Sequence, residues 1–180
     1  MRWASSVAHA VRTIGHSTRT LEELLAILAA AEVTVLVDIR TVPRSRHNPQ
    51  FNRDTLPAAL HEAGIGYRHD PALGGLRRPR RDSRNTAWRN LSFRGFADHM
   101  ESGEFAAALA EVAALAEIER IVLMCAEAVP WRCHRTLVSD ALVARGIEVR
   151  HLLGASREEP HELTPFARVA DERVTYPGLL

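Results

Sequence analysis

The stretch 121-IVLMCAEAVPWRCHR-135 brings an apolar run up to Cys125 and Glu127, turns at Pro130, and continues into Cys133, His134 and Arg135. These residue types at this spacing are suited to a metal clip, a nucleophile with its base, an anion cradle, or plain packing at a strand end. Structural zinc needs four ligands in a closed set with local spacings such as C-x2-C. Here a proline interrupts the seven residues between the two cysteines. Zinc or iron is therefore a minor option and no cofactor is predicted. Cys133 falls in the turn after Pro130, where unpaired N–H groups and the positive end of a helix dipole lower a thiol's pKa and seat an anion. Arg132 and Arg135 flank that turn. Glu127 is placed to orient an arginine or to act as a general base.

Read as a nucleophile, Cys125 belongs to a strand-to-loop arrangement closed by arginine, as in thiol phosphatases and rhodaneses. The loop departs from theirs, with six residues rather than five between Cys125 and Arg132, no glycine, and the negative Glu127 inside. Packing alone stays open for both cysteines, since thiols are common core fillers. Elsewhere, His16 and Ser17 in 16-HSTR-19, with Asp38 and Arg40 two apart on an extended segment, are the other polar residues of catalytic type. Capping of the next helix is the alternative for Ser17 and Thr18, and ion pairing for Asp38 and Arg40. Gly74-Gly75 is a turn signal. Neither a P-loop nor G-x-G-x-x-G is present, which argues against an ATPase or a dinucleotide oxidoreductase.

Alternating strands and helices must position these residues. Strands are expected at 11–15, 33–39, 65–69, 121–125 and 147–153. Helices are expected at 21–31, with a Thr20/Glu23 capping box, at 55–63 capped by Asp54, at 104–117, and at 131–146. The implied fold class is α/β: a three-layer, Rossmann-like domain with a mostly parallel central sheet of about five strands and helices on both faces. Ligands bind such sheets outside the carboxyl ends of the strands. His16, Asp38, Arg40, Cys125 and Glu127 all follow or end strands, so they should share one edge. A single domain spans 1–180, with an arginine-rich surface excursion at about 71–95 and an irregular tail from about 154.

The totals agree with a self-sufficient core. The chain has 180 residues, 46% of them hydrophobic, and a net charge of +1, and no apolar run is long enough to span a membrane. The segment 1–17 has no secretion-type h-region, and with only two cysteines a reducing cytoplasm is expected. All 23 basic residues are arginine. Between Arg40 and Arg94 twelve arginines face four acids, a balance of +8, so the remainder carries −7. Arg44 and Arg46 with Phe51, and Arg77 to Arg81 with Trp88, interleave cations and aromatics in the manner suited to phosphates and stacked bases. The expected partner is thus a phosphate-bearing small molecule or a nucleic acid, with no membrane.

Four motifs together resemble the DUF488 family of prokaryotic proteins: TIGHSTR at 13–19, VDIRTVPRSRHNPQFN at 37–52, LGG at 73–75 and CAEAVPWRCHR at 125–135. The resemblance covers about residues 12 to 152. It implies an α/β Rossmann-like domain and leaves the reaction to the residues. They suggest a hydrolase or transferase acting on a nucleotide or nucleic-acid substrate. In that reading His16, Asp38, Glu127 and Cys125 are catalytic, and Ser17, Arg40, Arg44, Arg132, Cys133, His134 and Arg135 bind ligand. The alternative is a non-catalytic nucleic-acid-binding module built on the basic 40–94 region.

Overall fold

The computed structural model describes residues 9–179; residues 1–8 of the segment tested for a secretion signal lie outside them. The first strand, β1 (Val11–Gly15), leads to helix α1 (Leu21–Ala30), then β2 (Val35–Asp38), α2 (Leu56–Glu62) and β3 (Gly66–His69). Helices α3 (Leu91–His99) and α4 (Gly103–Ala116) precede β4 (Ile121–Cys125), and α5 (Arg135–Ala144) leads to β5 (Val149–Gly154). Strand β6 (Arg157–Pro160) and a hairpin of β7 (Arg168–Ala170) and β8 (Arg173–Thr175) complete the chain. The six-stranded sheet has the order β3-β2-β4-β1-β5-β6, parallel except for the β5–β6 pair.

β4 is central and buried along its whole length, as its uninterrupted IVLMC run requires of a strand covered on both faces. Alternation divides its side chains between two cores. Val122 and Met124 pack with Ile14 and Leu36 against Leu24 and Leu28 of α1 and Leu56 and Leu60 of α2. Ile121, Leu123 and Cys125 point the other way, into a core with Phe96, Leu109, Leu137 and Val138 from α3, α4 and α5. Each fully buried aliphatic side chain contributes about 1.5–3 kcal/mol relative to exposure. The resulting three layers are the expected α/β architecture.

Local signals account for most helix ends. Thr20 Oγ1 accepts from the Glu23 amide at 3.1 Å while Glu23 accepts from the Thr20 amide at 2.7 Å, so the capping box is present. Asp54 does not cap α2. The N-cap is Thr55, whose backbone is in the helical region (φ −119°, ψ −42°) and whose side chain makes no cap bond; Pro57 at the second helical position removes one of the two N–H groups a cap could accept from. The Thr55 hydroxyl donates back to Pro49 O instead.

The expected helix 131–146 is shorter than predicted. Pro130–Arg132 form a single 3-10 turn, Cys133 is extended (φ −134°, ψ 146°), and α5 starts at Arg135. The Cys133 N–H closes the Pro130 turn at 3.0 Å and so cannot enter a helical ladder.

The region from 154 is structured rather than irregular, adding β6 to the sheet edge and anchoring the β7–β8 hairpin. A hydrogen-bonded chain holds it in place. Thr13 Oγ1 meets His151 Nδ1 at 2.6 Å, His151 Nε2 meets His161 Nδ1 at 2.9 Å, and His161 Nε2 meets Asp140 Oδ1 at 2.8 Å. The buried Tyr176 hydroxyl donates to Asp140 Oδ2 at 2.7 Å. The arginine-rich excursion is likewise tied down. Buried Asp98 accepts from the Arg80 amide, Ser83 Oγ and Asn85 Nδ2 at 2.6–2.8 Å, and α3 begins at Leu91, within the last residues of the excursion. Among the described residues no helix is long and apolar enough to cross a membrane.

Candidate functional site

Parallel register sets the carboxyl edge. Gly15 pairs with Cys125 and Asp38 with Met124, so β1, β2 and β4 end at one level. The ladder continues past the strands, with the His16 amide donating to Cys125 O and the Ser17 amide to Ala126 O, each at 2.9 Å. Gly15 makes this approach possible, since a Cβ there would lie 1.6 Å from Glu127 O. Ser17 follows in the left-handed region (φ 50°), and Arg19 donates to Gly15 O and, at 3.3 Å, to Leu153 O.

Above this edge lies a crevice of about 330 Å³. Cys125, Cys133 and His134 line it together with Arg40, Arg44, Glu127 and Arg132. Seven of the eleven residues singled out from sequence thus meet in one cavity. Arg44, Arg132 and Glu127 are exposed and take part in none of the ion pairs of the described residues. Two cations and one carboxylate at the mouth are therefore available to a ligand.

His16, Ser17, Asp38 and Arg135 do not line the crevice; the first three lie beside it and Arg135 beneath it. Asp38 is fully buried and already satisfied. Arg40 donates to it through Nε at 2.9 Å, Nη2 at 2.7 Å and the main-chain amide at 3.2 Å, and Tyr67 donates its hydroxyl at 2.8 Å. Burial and the Asp38 hydrogen bond push the Tyr67 hydroxyl's pKa far up, so it remains a donor. Arg40 also donates to Phe51 O at 2.7 Å and lies 3.2 Å from His16 Nε2. Arginine can only donate, and Ser17 O, 2.8 Å from His16 Nδ1, can only accept. His16 must therefore be the neutral tautomer with its proton on Nδ1. Burial, with the positive Arg40 adding to it, lowers its pKa from 6.5 to about 4, and its ring stacks on Phe51 at 4.6 Å. Asp38 and His16 thus hold Arg40 in position, with their own hydrogen-bonding atoms committed to Arg40, Tyr67 and Ser17 O.

Arg135 is buried and turned inward. Its Nη2 donates to Glu127 O at 3.2 Å and Ala128 O at 3.4 Å, bracing the loop from below. The first turn of α5 is not an open anion seat. Its amides go to Cys133 Sγ (from Arg135, 3.4 Å), Cys133 O (from Thr136) and His134 O (from Leu137 and Val138). Gly74-Gly75 is not a turn of positive φ among the described residues. It is a close approach, with a Cβ on Gly74 falling 2.4 Å from Thr41 Oγ1 and one on Gly75 3.0 Å from His134 Nδ1.

The thiols carry the unusual geometry. Both cysteines are free and buried, with Cys133 Sγ 2.8 Å from Cys125 Sγ. Two thiols that close titrate as a coupled pair. Burial raises the Cys125 thiol's pKa, but the Cys133 S–H pointed at it and the Arg135 guanidinium outweigh burial and the net shift is downward. Holding that hydrogen bond, reinforced by burial, drives Cys133 well up. Of the pair, the Cys125 thiol is the more acidic and the Cys133 thiol the less. His134, its pKa lowered by burial to about 4, has Nδ1 3.6 Å from Cys133 Sγ and Nε2 3.2 Å from Ile39 O. Among the described residues no three His, Cys, Asp or Glu side chains converge as metal ligands.

Sequence reasoning assigned no site role to Tyr67 or Arg19, and read Phe51 as a stacking partner for a base, whereas it stacks on His16. Tyr67 had a usable signal: it lies two residues before the end of β3 and shares strand parity with Asp38, through the Leu36–Tyr67 and Asp38–His69 pairings. A family model described as "Domain of unknown function DUF488" matches residues 20–142. No curated protein and no solved structure matches the chain.

Proposed function

For a chain that belongs to the DUF488 family, and whose crevice is the one described above, we propose an enzyme of the transferase or hydrolase class in which Cys125 is the nucleophile and a phosphate-bearing substrate is the ligand. The observation that carries the reading is the polarised thiol pair at the end of the central strand, opening into a cavity rimmed by the unpaired Arg44 and Arg132. A lowered thiol pKa raises the share of nucleophilic thiolate. Arginine's fork suits phosphate oxygens. Glu127 at the mouth is the group free to move a proton, and Arg40, held by Asp38 and His16, presents a fixed positive wall. Thiols in this arrangement need a reducing compartment, which favours the cytoplasm.

The test is alkylation. Iodoacetamide at pH 7 should modify Cys125 well before Cys133, and a nucleotide or other phosphate-bearing ligand should slow that modification. Arg44→Ala and Arg132→Ala should each weaken the protection about tenfold, equivalent to about 1.4 kcal/mol. Equal labelling of both cysteines, or labelling indifferent to every phosphate-bearing ligand tried, would rule the reading out.

One observation favours the second reading, a nucleic-acid-binding module. Arg78, Arg81, Arg84 and Arg89 of the excursion are exposed and absent from the ion pairs given above. Several other arginines of the basic segment are spent internally: Arg40 on Asp38, Arg68 on Glu111, Arg80 on Glu101, and Arg77 and Arg94 on main-chain carbonyls. If nucleic acid is the ligand, single-stranded oligonucleotide affinity should fall steeply with salt. Neutralising those four exposed arginines should flatten that slope by about 0.7 for each phosphate that is no longer neutralised. Affinity independent of salt would exclude this mode.

A further inference from the structure

We infer that Cys125 and Cys133 form an exchange-active dithiol that reduces small anionic disulfides, with Cys125 attacking and Cys133 resolving. The inference rests on the reading of Cys125 as the nucleophile and adds a substrate class and a second working residue to the same crevice.

A nucleophilic cysteine in a group-transfer enzyme needs no second thiol. Here the second thiol is at 2.8 Å, on the same cavity wall, and donates its proton toward the first. A disulfide bond is roughly 2.05 Å long, so joining the sulfurs requires a movement of less than ~1 Å. Cys133 sits at an extended break between the 3-10 turn and α5 rather than inside a helix. Cys125 ends a strand beside a loop braced by Arg135.

The electron count closes. The Cys125 thiolate attacks one sulfur of RS–SR and expels RS⁻, which takes a proton from solvent, leaving the mixed disulfide Cys125–S–S–R. Cys133 then gives up its proton, its sulfur attacks Cys125 Sγ, and the second RS⁻ leaves. The sum is a dithiol plus RS–SR giving an intramolecular disulfide plus two RSH, the substrate reduced by two electrons and the protein oxidised by two. A small external dithiol restores the starting state. Arg44 and Arg132 at the mouth favour carboxylate-bearing disulfides over neutral ones.

Oxidised glutathione is a suitable probe. The intact protein should release about two equivalents of reduced glutathione per chain, and peptide mapping should show Cys125 joined to Cys133. Cys133→Ser should stop at about one equivalent with glutathione held on Cys125, and Cys125→Ser should release none. Circular dichroism of both variants, with Cys133→Ala as a second replacement, establishes that they are folded. The inference is overturned if the wild type stops at the mixed disulfide, if it releases nothing, or if Cys133→Ser behaves like the wild type. The two readings fail separately. Exchange without protection of Cys125 by any phosphate-bearing ligand removes the proposed substrate and keeps the dithiol. Selective alkylation and protection without exchange does the reverse.

Discussion

Asp38→Ala lowers the stability of the protein by about 3–5 kcal/mol, the range for removing one partner of a buried ion pair. The replaced carboxylate is fully buried and receives two guanidinium N–H groups, a main-chain amide and the Tyr67 hydroxyl. Without it Arg40 keeps its charge in a site only 7% exposed, with Phe51 O as its remaining carbonyl partner. The Tyr67 hydroxyl loses its acceptor at the same time. Urea unfolding measures the loss directly, and Asp38→Ala with Arg40→Met should recover part of it, because the stranded charge is gone. A single variant within 1 kcal/mol of wild type, roughly the worth of an exposed pair, would mean that the pair is not holding the edge together.

Acid has the second large effect. Burial lowers the pKa of His16 and His134 from 6.5 to about 4, and burial together with the neighbouring His161 lowers His151 to about 3. Below pH 6.5 the unfolded chain takes up protons that the folded chain refuses. Stability therefore rises with pH across the window from about 4 to 6.5 and falls on acidification through it. Each group contributes up to about 1.4 kcal/mol per pH unit inside the window, so between pH 6.5 and 5 the total reaches several kcal/mol. Urea midpoints at half-unit steps should drop steadily over that interval. His151→Gln should reduce the slope by about one proton's worth. A flat profile, or a rise on acidification, contradicts the buried neutral state of these rings.

The layered fold was legible because its signals are local. β4's apolar run, the Thr20–Glu23 box and the alternation of elements each lie within one short window of sequence. The carboxyl-edge rule then placed Cys125, Glu127 and Arg40 correctly beside one another. What the rule could not resolve is which way a side chain turns once it reaches the edge. Asp38 shares parity with Leu36 and faces the α1–α2 side, whereas Cys125 faces α5, so two residues at one level serve different layers. Arg135, expected to bind ligand beside Arg132, falls instead on the inner side of α5. The segment after 154 departs from the expected irregular tail for a related reason. Its prolines and charges hide a strand whose partners, Arg150 to Gly154, and a tyrosine whose acceptor, Asp140, can be found only in three dimensions.

α5 serves two masters along its length. Its first turn carries Arg135 under the loop that shapes the crevice, and its middle carries Asp140, on which His161, Thr164 and Tyr176 converge. One helix therefore anchors both the loop under the thiols and the chain that follows the hairpin, so the two ends of the molecule share a single support.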